Sequence, residues 1–86
     1  MPIVSAFFGI IVTMHWREHN PPHFHAKYGD RMAIIAIETL EILDGGLPRR
    51  AQAMVLEWAV EHRAELLDNW RLCQEFSTPQ PIAPLE

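Results

Sequence analysis

Cysteine is almost missing from this chain of 86 residues: Cys73 is the one thiol, so no disulfide framework within the chain can form and a reducing compartment suits it. Positive charge is short as well. Seven Lys and Arg against eleven Asp and Glu leave a net charge of -4, which argues against a dedicated high-affinity DNA coat, because such a surface needs many phosphate-neutralising cations. No apolar run approaches the roughly 18–20 residues of a membrane span. The apolar stretch Phe7 to Met14 lacks the basic start and small-residue cleavage site of a secretion signal. Repeats and low-complexity tracts are absent too. These gaps lead to the expectation of a cytoplasmic protein with no membrane partner. The composition present, 49% hydrophobic and 21% charged, belongs to a folded globular chain. We expect a single domain over residues 1–76 and a proline-rich extended tail over 77–86, where Pro79, Pro81 and Pro84 forbid a helix. The tail is expected either to fray or to lie along a sheet edge.

The first half has a strand period. Ile10, Val12, Met14 and Trp16 alternate with Ile11, Thr13, His15 and Arg17, which places the first set on a core face. Ile3 to Phe8 is apolar, with Gly9 as a turn or bulge; His23 to Tyr28 alternates again; Gly29-Asp30 is a hairpin signal before Met32 to Ile37. A shorter strand is expected around Glu41 to Leu43. Beyond Gly45-Gly46 the period lengthens. Leu47, Ala51, Met54, Val55, Trp58, Ala59 and His62 form one helical stripe that Leu66, Trp70 and Cys73 extend, and Pro48 suits the first turn. An unbroken rod over 49–76 is too long for so small a domain, so a break near His62 to Ala64 is expected. The fold class is therefore α+β: an antiparallel meander of four to five strands followed by two C-terminal helices packed on one face.

The informative segment is His15 to Arg31. An antiparallel hairpin of strands 10–17 and 23–28 that pairs Arg17 with His23 also pairs His15 with His25 and Thr13 with Lys27. His15, His23, His25, Arg17 and Lys27 then share a polar patch, opposite Met14, Trp16, Phe24 and Tyr28. Three readings stand for it. It is a solvated sheet face; or a transition-metal site using His19, His23 and His25 with His15 beside them; or a site for acid–base or phosphate chemistry, in which His23 and His25 move protons. Against the metal stand the neighbouring Arg17 and Lys27 and the want of a carboxylate obviously paired with the histidines. For the anion stand Arg49 and Arg50 in the first turn of the helix, where cations oppose the helix dipole and free N–H groups attract a phosphate. Cys73 and His62, on the apolar stripe, read as packing residues, and Glu57, Glu61, Glu65 and Asp68 as a solvated helix face.

Met1-Pro2-Ile3-Val4-Ser5 with Phe8-Gly9-Ile10, His19-Asn20-Pro21-Pro22-His23-Phe24-His25 with Tyr28-Gly29, Leu47-Pro48-Arg49-Arg50-Ala51, Leu56-Glu57-Trp58 and His62-Arg63 together resemble a bacterial family, domain-of-unknown-function family 4160. The likeness covers nearly the whole chain. It implies a strand-rich half followed by helices, and a gene often found beside a second small protein (domain-of-unknown-function family 2442) in an arrangement read as a toxin–antitoxin-like pair. His19, His23, His25, Arg49 and Arg50 fall on its motif positions; His15 does not, and Leu40 stands where a glycine is usual. No activity comes with the resemblance.

The leading expectation is a component of a two-gene toxin–antitoxin-like module acting on RNA or translation through a His/Arg site. In this metal-independent, ribonuclease-like reading no cofactor is needed. His23 and His25 are catalytic; Arg49, Arg50 and Lys27 hold phosphate; His19 and Arg17 support. The alternatives are a non-catalytic module that pairs with a small cognate protein encoded nearby, and a histidine-ligated metal protein. RNA, the ribosome and a second copy in a homodimer are the other expected partners.

Overall fold

The computed structural model describes residues 2–86. Five strands, β1 (Ile3–Phe7), β2 (Ile10–Thr13), β3 (His23–Tyr28), β4 (Arg31–Ala36) and β5 (Ile42–Gly45), precede helices α1 (Arg49–Glu61) and α2 (Arg63–Gln74). The strands form one antiparallel meander in the order β1-β2-β3-β4-β5. Two-residue turns set this up. Phe8 and Gly9 both take positive φ (49° and 81°) between β1 and β2, and Gly29 (61°) opens the turn between β3 and β4, the conformations whose twist matches paired strands. At Gly45 (φ 68°) a Cβ would stand 2.1 Å from the Met32 carbonyl oxygen, so glycine is needed there for β5 to reach β4. Leu40, at the position where the resemblance expects glycine, adopts φ 63° and donates its N–H to Ala36 O at 2.9 Å.

Both helices cover one face of the sheet. Ile10, Val12, Phe24, Ala26, Ala33 and Ile35 meet Ala51, Val55, Trp58, Ala59, Leu66 and Cys73 in a single buried cluster. The helical stripe read from the sequence supplies these contacts, and the break falls at His62, between the two helices. Trp58 is fully buried between Phe7 (ring centroids 5.5 Å apart) and Phe24 (6.0 Å). Burial of such a ring is worth about 4–6 kcal/mol as an upper bound. Among the described residues no helix is long and apolar enough to cross a membrane.

Three sequence expectations are corrected. The second strand stops at Thr13, because the chain turns at Trp16-Arg17: Arg17 has φ 55° and gives its N–H to Cys73 O of α2 at 3.3 Å. The register is accordingly two residues off the expected one, with Thr13 opposite His25 and Ile11 opposite Lys27. A shift of two keeps every side chain on its face, but it takes His15 and Arg17 out of the ladder. Trp16 and Tyr28, expected in the core, are 49% and 39% exposed, since one lies beyond the strand end and the other at the turn.

The tail after α2 is held by polar contacts as well as by its own apolar residues. Ile82 N–H bonds Val4 O of edge strand β1 at 2.8 Å, and Ile82 is buried. Trp58 Nε1 donates to Ala83 O at 2.8 Å. Buried Asn69 clasps Gln80 in both directions, Nδ2 to its carbonyl and Oδ1 from its N–H, each at 2.8 Å. Asn69→Ala removes both bonds and strands two backbone groups. It is expected to lower stability by about 2–3 kcal/mol and to speed amide exchange at Ile82 well beyond that of β3, read by thermal melting and hydrogen exchange.

A histidine–carboxylate cluster at the end of the sheet

Alternation along β3 sends His23, His25 and Lys27 to the side opposite Phe24 and Ala26, which enter the core. The loop from Met14 to Asn20 folds back over the end of this row. It is pinned from three sides: Arg17 N–H to Cys73 O, Gln74 Nε2 to Glu18 O at 3.0 Å, and the Arg17 guanidinium over the Phe76 ring at 5.0 Å, with Trp16 edge-on to the same ring. An Asn20-Pro21 cis peptide bond leads the chain into β3.

This places Glu18 among the histidines. Its Oε1 accepts from His25 Nε2 at 2.8 Å and faces His23 Nε2 at 3.2 Å. His23 Nδ1 faces Pro21 O at 2.8 Å. Both His23 nitrogens thus point at acceptors. The His15 ring stands edge-on to His25 with centroids 4.3 Å apart, its Nε2 at 3.4 Å from Thr13 Oγ1. His23 also packs against Trp70 of α2 at 5.1 Å. One donor atom each from His15, Glu18 and His25 lie within 4.8 Å of one another, all half-buried. The cluster borders an open concavity of about 720 Å³ on the bare face of the sheet, whose walls include Ile3, Ile11, Met32, Lys27 and Asp30.

Comparison with known families matches residues 9–71 to the family described as Domain of unknown function (DUF4160). The chain belongs to this family. Comparisons with curated proteins and with solved structures returned no match. The DUF4160 stretch contains every member of the cluster, together with Arg49 and Arg50.

The expected site residues part company in the structure. His23, His25 and, beside them, His15 come together. His19 is exposed, outside the cluster. Lys27 stays on the same face, along the concavity. Arg17 is turned onto Phe76. Arg49 and Arg50 open α1, whose buried residues pack on the opposite face of the sheet, and among the described residues no hydrogen bond or ion pair joins them to the histidines. The residue that sequence reasoning missed is Glu18. A carboxylate at 18 beside a proline-locked His-x-His is the available sign, but a strand running straight over 10–17 leaves Glu18 in the hairpin loop 18–22, beyond the paired histidines.

Electrostatics follow the geometry. Burial pushes the Glu18 carboxyl upward, but the His25 hydrogen bond and the charges of His25, His23 and His15 outweigh it and hold Glu18 below its ordinary range. Burial, then the nearby His25 charge, push His15 down. Burial, with Glu18 close by, pushes the Cys73 thiol up, away from reactivity. Glu18 titrates lower folded than unfolded, so its contribution is complete above its ordinary pKa of 4.5 and is lost as pH falls through the depressed value. Glu18→Gln is therefore expected to cost about 1–2 kcal/mol at pH 7. The gap from wild type should narrow as pH falls below 4.5, which denaturant unfolding at stepped pH measures.

Proposed function

We propose that this DUF4160 protein is the binding member of a two-gene, toxin–antitoxin-like module, and that it meets a small partner protein across the bare face of its sheet. The observation that carries this reading is the face itself. Ile3, Met32 and Ile11 are 59%, 50% and 40% exposed on the concavity, while the other face is sealed by two helices. Adjacent exposed apolar side chains, rimmed here by Lys27, Asp30 and His25, mark a protein contact more than a nucleic-acid one. An RNA surface needs cations along a track. Here Lys27 stands on the face, Arg17 is stacked elsewhere, and Arg49 and Arg50 belong to the helical side. The partner is the small protein whose gene the family resemblance places alongside.

The test is co-purification with that neighbouring gene's product. Wild type is expected to hold it at stoichiometry, and Ile11→Asp with Met32→Asp to weaken it at least 100-fold, about 2.7 kcal/mol, without a lower melting temperature. Unchanged binding by the double variant sinks the reading.

A second reading, action on RNA or translation by metal-independent ribonuclease-like chemistry, draws on the Glu18–His25 contact, in which a carboxylate orients an imidazole that moves a proton at a ribose hydroxyl. On this reading His23 and His25 remain the catalytic pair, Lys27 the phosphate contact, and Glu18 takes the supporting place once given to His19 and Arg17. On this reading induced expression of the chain in a bacterial host is expected to arrest growth, and His23→Ala with His25→Ala to relieve the arrest. Equal growth of both strains removes it.

A further inference from the structure

We propose that His15, Glu18 and His25 form a binding site for a divalent transition cation of the zinc class, with His23 as its outer support. The inference goes beyond the partner reading and stands whether or not the bare face takes a protein. It rests first on placement. Three donor atoms from two imidazoles and one carboxylate already lie within 4.8 Å of one another, on a strand and on a loop tied to α2. Tetrahedral zinc with bonds of about 2.0–2.1 Å sets such atoms roughly 3.3 Å apart; the His25–Glu18 pair, at 2.8 Å, opens slightly and the wider spacings close by side-chain rotation. Two His and one Glu are a donor set suited to Zn²⁺ and its neighbours rather than to Ca²⁺ or Mg²⁺, which take mostly oxygen. The histidine-only set read from the sequence is replaced, because His19 is exposed and outside the cluster.

The electrostatic objection to a cation also shrinks to Lys27, which stays on the same face. Arg17, which would repel a metal from the expected patch, is held over Phe76. The missing carboxylate is Glu18, which brings a negative charge to the centre of the group.

His23 supplies the independent sign. Its Nδ1 stands 2.8 Å from Pro21 O, which can only accept, and its Nε2 faces Glu18 Oε1 at 3.2 Å. An imidazole anchored on a backbone carbonyl and aimed at the carboxylate is placed to orient Glu18 as a ligand, as hydrogen-bond partners of ligating carboxylates do at metal centres. His15 and His25 both line the concavity, so a cation held by the three residues would keep a remaining coordination position toward the bare face of the sheet. That is the arrangement of sites that keep one position for water or another donor, such as a side chain of a docked protein.

Calorimetric titration of the metal-stripped full chain with ZnCl2 tests the site, with Co²⁺ absorption in the visible reporting its geometry. The expected result is one equivalent bound by wild type. Glu18→Gln and His25→Ala are each expected to weaken it about 100-fold or more, and His23→Ala by about 10–100-fold. His19→Ala and His62→Ala, outside the cluster, leave it unchanged. Circular dichroism of each variant, and imidazole nitrogen shifts of wild type on adding zinc, separate lost ligation from lost fold. Absence of zinc binding by wild type, binding indifferent to Glu18→Gln and His25→Ala, or binding that vanishes with His19 or His62 overturns the proposal. Zinc at His25 excludes metal-free proton transfer there, whereas the partner reading survives either result.

Discussion

Every layer of this small protein is tied through Trp58. The indole is fully buried, meets Phe7 of β1 and Phe24 of β3, lies 5.4 Å from the His62 ring at the helix break, and spends its one donor on the tail carbonyl of Ala83. A single side chain of α1 thereby joins the sheet, the helix break and the last ten residues. Because a buried indole N–H left unpaired is costly, the tail is part of the domain's energetics rather than an appendage. The same carbonyl-to-indole bond explains why a proline-rich segment with no secondary structure of its own lies against the domain: its backbone groups are received by Trp58, Asn69 and Val4.

The end of α2 plays the matching part for the polar cluster. The backbone of Cys73 and the side chains of Gln74 and Phe76 receive the loop that carries Glu18, and Trp70 supports His23. The site is assembled by elements more than forty residues apart in the chain, although all its polar members lie between residues 15 and 25. A substitution at Gln74, far from the histidines in sequence, acts on the position of Glu18.

Much of the fold was legible because two periods, near 2 and near 3.6, each survive over long stretches. Gly29-Asp30, Gly45-Gly46 and Pro48 mark turns with few alternatives, and the helix break followed from length alone. The face assignment of His23 and His25 was legible for a related reason: a register error of two residues cannot move a side chain across the sheet. The strand end was not. Met14, His15, Trp16 and Arg17 continue the alternation perfectly, and nothing local says that Arg17 turns to φ 55°; the reason lies in Cys73 O and Phe76, contacts of long sequence separation. A β2 continued to Arg17 leaves Glu18 in the hairpin loop and sets Arg17 in the ladder beside His23. Both mistakes concern the same bend.

That bend decides the chemistry of the face. A straight strand would set Arg17 beside His23 and make the patch cationic, fit for a phosphate. The bent one removes the guanidinium and inserts a carboxylate, so the patch becomes a place for a proton or a metal cation shared among acceptors. With Arg49 and Arg50 on the far side of the sheet, the remaining Lys27 stands beside Asp30 rather than in a basic track. What is left on the bare face is an apolar floor with a histidine–carboxylate corner. Such a surface favours a partner that buries Ile11 and Met32 while bringing a donor atom to that corner, and one bend at Trp16-Arg17 makes both halves of it.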